Sequence, residues 1–185
     1  IRQRLLWIVS GILPLALFLT MIGSIILGMG VPTTAQYIIT STLAAPALFQ
    51  MGVPLMSAHL FCLYFGVLAD VTPPVALATY AAAGIAKSNA MKTGFTALVT
   101  AMAGFLVPYM FVYNPHLLFQ GNILQVAFSF VTALMAIIGL SAGVQGYYIA
   151  PLSVPERIAL LIVPFLLIVP NLTTDILALA LLVGV

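Results

Sequence analysis

The sequence predicts an all-α, polytopic membrane protein, and three observations carry that assignment. Hydrophobic residues make up 64% of the 185 positions. Only 4% are charged, whereas a soluble domain carries about 25%. Two tracts, residues 5–69 and 93–155, hold no charged side chain at all, and each is far longer than the ~20 apolar residues that one membrane-spanning helix needs. A water-soluble fold keeps roughly a third of its unfolded surface wet, and this composition has no polar cover to offer. Lipid is therefore the solvent.

Glycine and proline punctuate the chain. A first apolar stretch from Leu5 to Leu27 ends at Gly28-Met29-Gly30-Val31-Pro32-Thr33-Thr34, and a second runs from Ala35 to Phe49. After a turn at Gln50 to Pro54, a third covers Leu55 to Ala69, stops at Asp70-Val71-Thr72-Pro73-Pro74, and resumes from Val75 to Ala86. Both interruptions put proline beside threonine in the middle of lipid-compatible sequence. Irregular backbone at membrane depth survives only inside protein or beside a watery cavity. A hairpin whose tip enters the membrane and a broken transmembrane helix are thus expected, in a transport-site half at residues 1–92.

The second half, residues 93–185, reads as transmembrane helices. Lys87 to Lys92 is a polar connector, Thr93 to Tyr113 a complete span, and Asn114 to Asn122 the opposite loop. Ile123 to Val144 forms the next span, followed by Tyr147 and Tyr148, whose rings suit the headgroup level. Pro151 to Arg157 is a further connector, and Ile158 to Val185, divided by Pro164, Pro170, Asn171 and Asp175, either crosses once or turns back.

The positive-inside tendency puts Lys87, Lys92 and Arg157 in the cytoplasm. Leu55 to Ala86 then runs inward. A re-entrant hairpin at Leu5 to Phe49 would leave Arg2 and Arg4 outside, against that tendency. A crossing would need about 68 Å of helix, too much for one bilayer, so both arrangements stay open. Arg2 and Arg4 ahead of an apolar stretch have the outline of a signal peptide, yet the hydrophobicity continues to the last residue.

Discontinuous helices near the midplane are where secondary transporters place substrate and coupling ions. Carbonyls freed at each break, with the hydroxyls of Thr33, Thr34 and Thr72, suit a hard cation such as Na⁺. The amide ends at Thr34 and Val75 favour an anionic group. Asp70, the sole acid between Arg4 and Glu156, is a functional candidate because burying a carboxylate in lipid is costly. The competing reading makes it a helix cap.

Other chemistries find little support. A net charge of +2 without a basic run excludes nucleic acid. Cys62 is the only cysteine, and His59 and His116 form no HExxH, so neither a disulfide nor a metal cofactor is expected. Gly139-Leu140-Ser141-Ala142-Gly143 matches the spacing of a nucleophile elbow, but an elbow needs a strand and a strained turn. Inside a membrane helix the same glycines make a G-x-x-x-G packing face. Asp70 with Asp175 as an aspartyl protease dyad lacks matching motifs. A channel or structural subunit remains the alternative, although no helix carries a continuous polar stripe.

The stretch Leu27 to Ala35, followed by Ala45-Pro46-Ala47-Leu48 and Val71-Thr72-Pro73-Pro74-Val75-Ala76, resembles the large membrane subunit of tripartite ATP-independent periplasmic (TRAP) transporters, especially the type fused with its small subunit. The likeness continues through Gly104 to Pro108, Val112 to Pro115 and Pro151 to Arg157. It implies a bacterial or archaeal inner-membrane importer of organic acid anions, driven by a Na⁺ gradient and fed by an extracytoplasmic solute-binding protein. The resemblance further implies two inverted repeats moving like an elevator. This chain is similar to the second repeat plus a C-terminal extension, expected to work with the remaining membrane portion of the transporter. The half-site so implied comprises Gly28, Gly30, Pro32, Thr33 and Thr34 at the hairpin tip and Thr72, Pro73 and Pro74 at the helix break. Asp70 joins on physical grounds alone. A sialic acid, a dicarboxylate, an oxo acid and a sulfonate would all meet the same amide ends.

Overall fold

In the computed structural model, which describes residues 2–168 and 171–185, the fold is 80% helical and no strand occurs among the described residues. Contacts divide the chain into two units, Ile1–Phe95 and Thr96–Val185.

The first unit begins with α1 (Arg2–Gly28) and α2 (Thr33–Gln50), which pack against each other as a hairpin. The turn between them forms because Gly30 takes a left-handed φ of 76°, which glycine adopts without penalty, and because Pro32 suits the N-cap with φ −55° and ψ 138°. Pro14 and Pro46 lie inside these helices without ending them. Next, α3 (Leu55–Leu68) packs on both arms and passes into a 3₁₀ turn at Ala69–Val71. The helix does not resume at Val75 as expected. It restarts at α4 (Leu77–Ile85), preceded by Ala76 in a left-handed conformation with φ 39°. The Pro73–Pro74 peptide bond is cis.

Helix α5 (Ala90–Ala101) carries the division between the units. It opens three residues before the expected Thr93, with the Asn89 side chain accepting from the Lys92 N–H. A 3₁₀ turn at Met102–Phe105 and α6 (Val107–Tyr113) complete the run, so this span is helical but not uniformly α.

In the second unit, α7 (Ile123–Gln145) is followed by α8 (Val154–Leu167) and α9 (Leu172–Gly184). Glu156 and Arg157, expected in a connector, belong to the first turn of α8. The Glu156 carboxylate accepts from the Ser153 N–H at 2.7 Å and its hydroxyl at 2.6 Å, which ties down the start of the helix. Since α8 packs on α7 and α9 packs on α8, Ile158 to Val185 is two helices and not one tilted span. Of the residues expected to divide it, Pro164 lies inside α8 and Asp175 inside the first turn of α9, Asn171 is the N-cap of α9, and Pro170 lies outside the described residues. Leu160, Val163 and Leu167 of α8 share a core with Ala136 of α7 and Ala178 and Leu182 of α9.

The G-x-x-x-G expectation is met in packing terms. A Cβ on Gly139 would lie 3.0 Å from Val163 Cγ1, and one on Gly143 would lie 3.0 Å from Leu161 Cγ and 3.1 Å from its backbone nitrogen. Small residues let α7 and α8 approach backbone to backbone. Arg157 secures the end of α7 by donating to the Gly143 and Val144 carbonyls, both at 2.7 Å, groups that the helix itself leaves unpaired.

Among the described residues two runs are long and apolar enough to cross a membrane, Ala90–Tyr113 and Ile123–Gln145, with only 28% and 33% of their most apolar windows buried. Core helices of a soluble protein would be mostly covered. Leu43 is 71% exposed and Phe165 is likewise 71% exposed, so apolar side chains face outward where lipid would meet them.

Candidate functional site

The hairpin tip and the helix break, forty residues apart in sequence, lie together in the first unit. A Cβ on Gly28 would come 2.7 Å from the Gly66 carbonyl oxygen and 2.8 Å from Ala69 Cβ. A Cβ on Gly30 would stand 3.8 Å from Val75 Cγ1. Gly28 therefore seats the last turn of α1 on the end of α3, and Gly30 brings the tip beside the broken segment.

From α2, the side chain of Gln36 reaches the same place. It is fully buried and its amide occupies the space beside Gly66 that any side chain there would fill. The Gln36 Nε2 donates to Thr40 Oγ1 at 3.0 Å and to the Cys62 carbonyl at 3.4 Å, while its Oε1 has no partner among the described residues. A buried amide in lipid-compatible surroundings is held by such bonds, since leaving a buried polar group unpaired costs about 1–3 kcal/mol. Gly66 thus receives both arms of the hairpin.

The amide ends are open. Pro32 and Ala76, the N-caps of α2 and α4, give no side-chain cap hydrogen bond. Thr33 and Thr34 are exposed in the first turn of α2, where N–H groups have no intrahelical acceptor. Thr72 is half-buried and donates its hydroxyl proton to the Leu68 carbonyl at 2.7 Å, which leaves its oxygen lone pairs able to accept or to ligate a cation. Asp70 sits in the 3₁₀ turn, half-buried. It does not cap α4, whose N-cap is Ala76.

Two further residues shape the break. The Tyr80 hydroxyl donates to the Pro74 carbonyl at 2.9 Å, and its ring lies against Gly94 and Pro73, since a Cβ on Gly94 would fall 3.0 Å from Tyr80 Cε1 and 3.3 Å from Pro73 Cγ. Sequence reading missed Gln36, Gly66, Tyr80 and Gly94. Gln36 had a signal, an amide in an otherwise apolar half-helix, but its partner depends on the register of α2 against α3.

Ser141 of the elbow-like motif lies inside α7, so the strand and strained turn that such a nucleophile needs are not there. No group of three or more metal-ligating side chains occurs among the described residues.

Comparison with family models matches residues 3–126 to the DctM component of the tripartite ATP-independent periplasmic transporters. Residues 126–180 match DUF3394, a domain of unknown function. Comparison with curated proteins and with solved structures gives no match.

Proposed function

The chain belongs to the family of the DctM component of tripartite ATP-independent periplasmic transporters, and from that premise we propose that it supplies one ion- and substrate-binding half of a Na⁺-coupled importer of organic acid anions. Membership makes it a permease component, in a family of transporters and not of enzymes, that associates with other membrane and solute-binding components. The observation that carries the finer reading is the apposition of the hairpin tip and the helix break through Gly28, Gly30, Gly66 and Val75.

Gly28, Gly30 and Pro32 shape the tip, and Pro73 and Pro74 hold the break open. Na⁺ is bound near Thr33, Thr34 and Thr72, whose hydroxyl oxygens accompany nearby carbonyls, with Asp70 contributing negative potential. The organic anion meets the open amides at Thr34, in the first turn of α2, and at Val75, two residues ahead of α4, each beside the positive end of a half-helix. The tip lies at membrane depth, as a re-entrant hairpin in a multi-pass protein of the bacterial or archaeal inner membrane. Residues 1–92 form the transport-site half and 93–185 the C-terminal transmembrane part.

Because Gly28 and Gln36 both fasten the hairpin to Gly66, tip and break move as one body. This favours elevator-like displacement of an intact half-site over opening of the hairpin against α3.

The test is uptake by the complete permease in proteoliposomes with its solute-binding protein. A panel of radiolabelled succinate, pyruvate, N-acetylneuraminate and isethionate covers the anion classes. Uptake of at least one should require both the inward Na⁺ gradient and the binding protein. Uptake that persisted unchanged without either would refute the proposal.

A further inference from the structure

We infer that Tyr80 is a positioning residue for anion binding, holding the Pro74–Val75 peptide so that the Val75 N–H is presented to substrate. This rests on the half-site reading above. The Tyr80 hydroxyl donates to the Pro74 carbonyl oxygen at 2.9 Å, while Met91 Sδ stands farther off at 3.6 Å. One proton serves one strong bond, and the carbonyl is the better acceptor. The Pro74–Val75 bond is trans, the cis bond being the one before it. In a planar trans peptide the C=O and N–H point in opposite directions, so fixing the carbonyl toward Tyr80 turns the Val75 N–H away from it.

That N–H has no acceptor among the described residues. Its residue is the one whose side chain adjoins Gly30 at the hairpin tip. One bond closes the broken segment, from the Ala76 N–H to the Thr72 carbonyl at 3.2 Å, but it engages neither the Pro74 carbonyl nor the Val75 N–H, and α4 begins only at Leu77. Tyr80, one turn into α4, supplies the bond to the Pro74 carbonyl itself. Gly94 leaves the ring its room: an added methyl there would press on it at 3.0 Å. The sequence -Pro-Pro-Val-Ala- breaks the helix, and Tyr80 decides which way the broken backbone faces.

The experiment compares Tyr80→Phe and Gly94→Ala with wild type in the reconstituted permease, using the panel anion with the fastest wild-type uptake. Tyr80→Phe keeps the ring and removes only the donor. Gly94→Ala keeps the donor and displaces the ring. Both should raise the KM for the anion about 3- to 10-fold, the worth of one hydrogen bond, with Vmax and half-saturating Na⁺ within twofold of wild type. An unchanged KM in Tyr80→Phe, or a joint shift of KM, Vmax and Na⁺ dependence, would overturn the inference. If Tyr80→Phe fails to fold in a thermal-shift control, Gly94→Ala alone decides by the same criteria. Thr33→Val, Thr34→Val and Thr72→Val are run alongside. Wild-type behaviour in all three would remove the half-site itself, whereas impairment there beside a normal Tyr80→Phe would remove only the role of Tyr80.

Discussion

The side-chain amide of Gln36 on α2 fills the space that a methyl group on Gly66 of α3 would need, with all three of its terminal atoms crowding that position. Gly66→Ala should therefore destabilise the first unit by about 1–3 kcal/mol, the usual cost of overpacking, because the displaced amide also loses Thr40 and the Cys62 carbonyl. Gly23→Ala is the control. Nothing lies within 4 Å of a Cβ there, and alanine is the better helix former by up to about 1 kcal/mol. Thermal unfolding in detergent should show the first variant melting lower and the second unchanged or higher.

In the second unit, Gly143→Ala should cost more than Gly139→Ala. The new methyl at Gly143 meets the Leu161 backbone nitrogen at 3.1 Å, and backbone cannot step aside. At Gly139 the nearest atoms belong to the Val163 side chain, with backbone only at 3.4 Å. Unfolding temperatures of the two variants check the order. Equal values would mean that α8 shifts bodily to accommodate either.

The positive-inside tendency predicts Lys87 and Lys92 on the cytoplasmic face and the Asn114–Asn122 loop on the other. Asn89→Cys and Phe119→Cys place thiols at exposed positions, and the native Cys62 is buried. A membrane-impermeant reagent added from outside should modify position 119 and spare position 89. The reverse pattern would invert the topology.

Glu156 has its carboxyl held below the usual carboxylate range by the Ser153 hydroxyl and N–H. A depressed folded-state value means that the stabilisation is complete above the ordinary glutamate range and fades as pH falls through the lowered one. Acidification should therefore loosen the start of α8. Glu156→Gln should flatten that acid limb of the stability profile, and an identical limb in the variant would detach it from this residue.

Much of the fold is legible because glycine and proline act locally. Gly30 and Pro32 close the hairpin turn, and Pro73 and Pro74 stop α3 where the sequence says. The ends of the break are less legible: Ala76 takes a left-handed conformation that nothing in its type announces. Ser153-Val154-Pro155-Glu156 is a capping pattern that composition alone reads as a polar connector. Met102–Phe105 tightens to 3₁₀ ahead of Pro108, which has no N–H to give the Gly104 carbonyl. Tip and break are each visible as motifs, but their meeting at Gly30 and Val75, and the seating of the hairpin on Gly66, are not. It depends on how three helices stack, and Gln36, Tyr80 and Gly94 acquire meaning only once they do.

The most direct test of the central claim is the Na⁺ dependence of uptake in Thr33→Val, Thr34→Val and Thr72→Val, each beside a thermal-shift control for folding. Valine preserves the shape of threonine and removes one hydroxyl ligand. Asp70→Asn extends the series by removing a charge and keeping the size. If tip and break form one ion site, apparent Na⁺ affinity should fall roughly 5- to 150-fold in the valine variants, corresponding to about 1–3 kcal/mol for one lost polar ligand, while the proteins remain folded. Wild-type Na⁺ dependence in all three would contradict it, and would make the two breaks kinks in the scaffold.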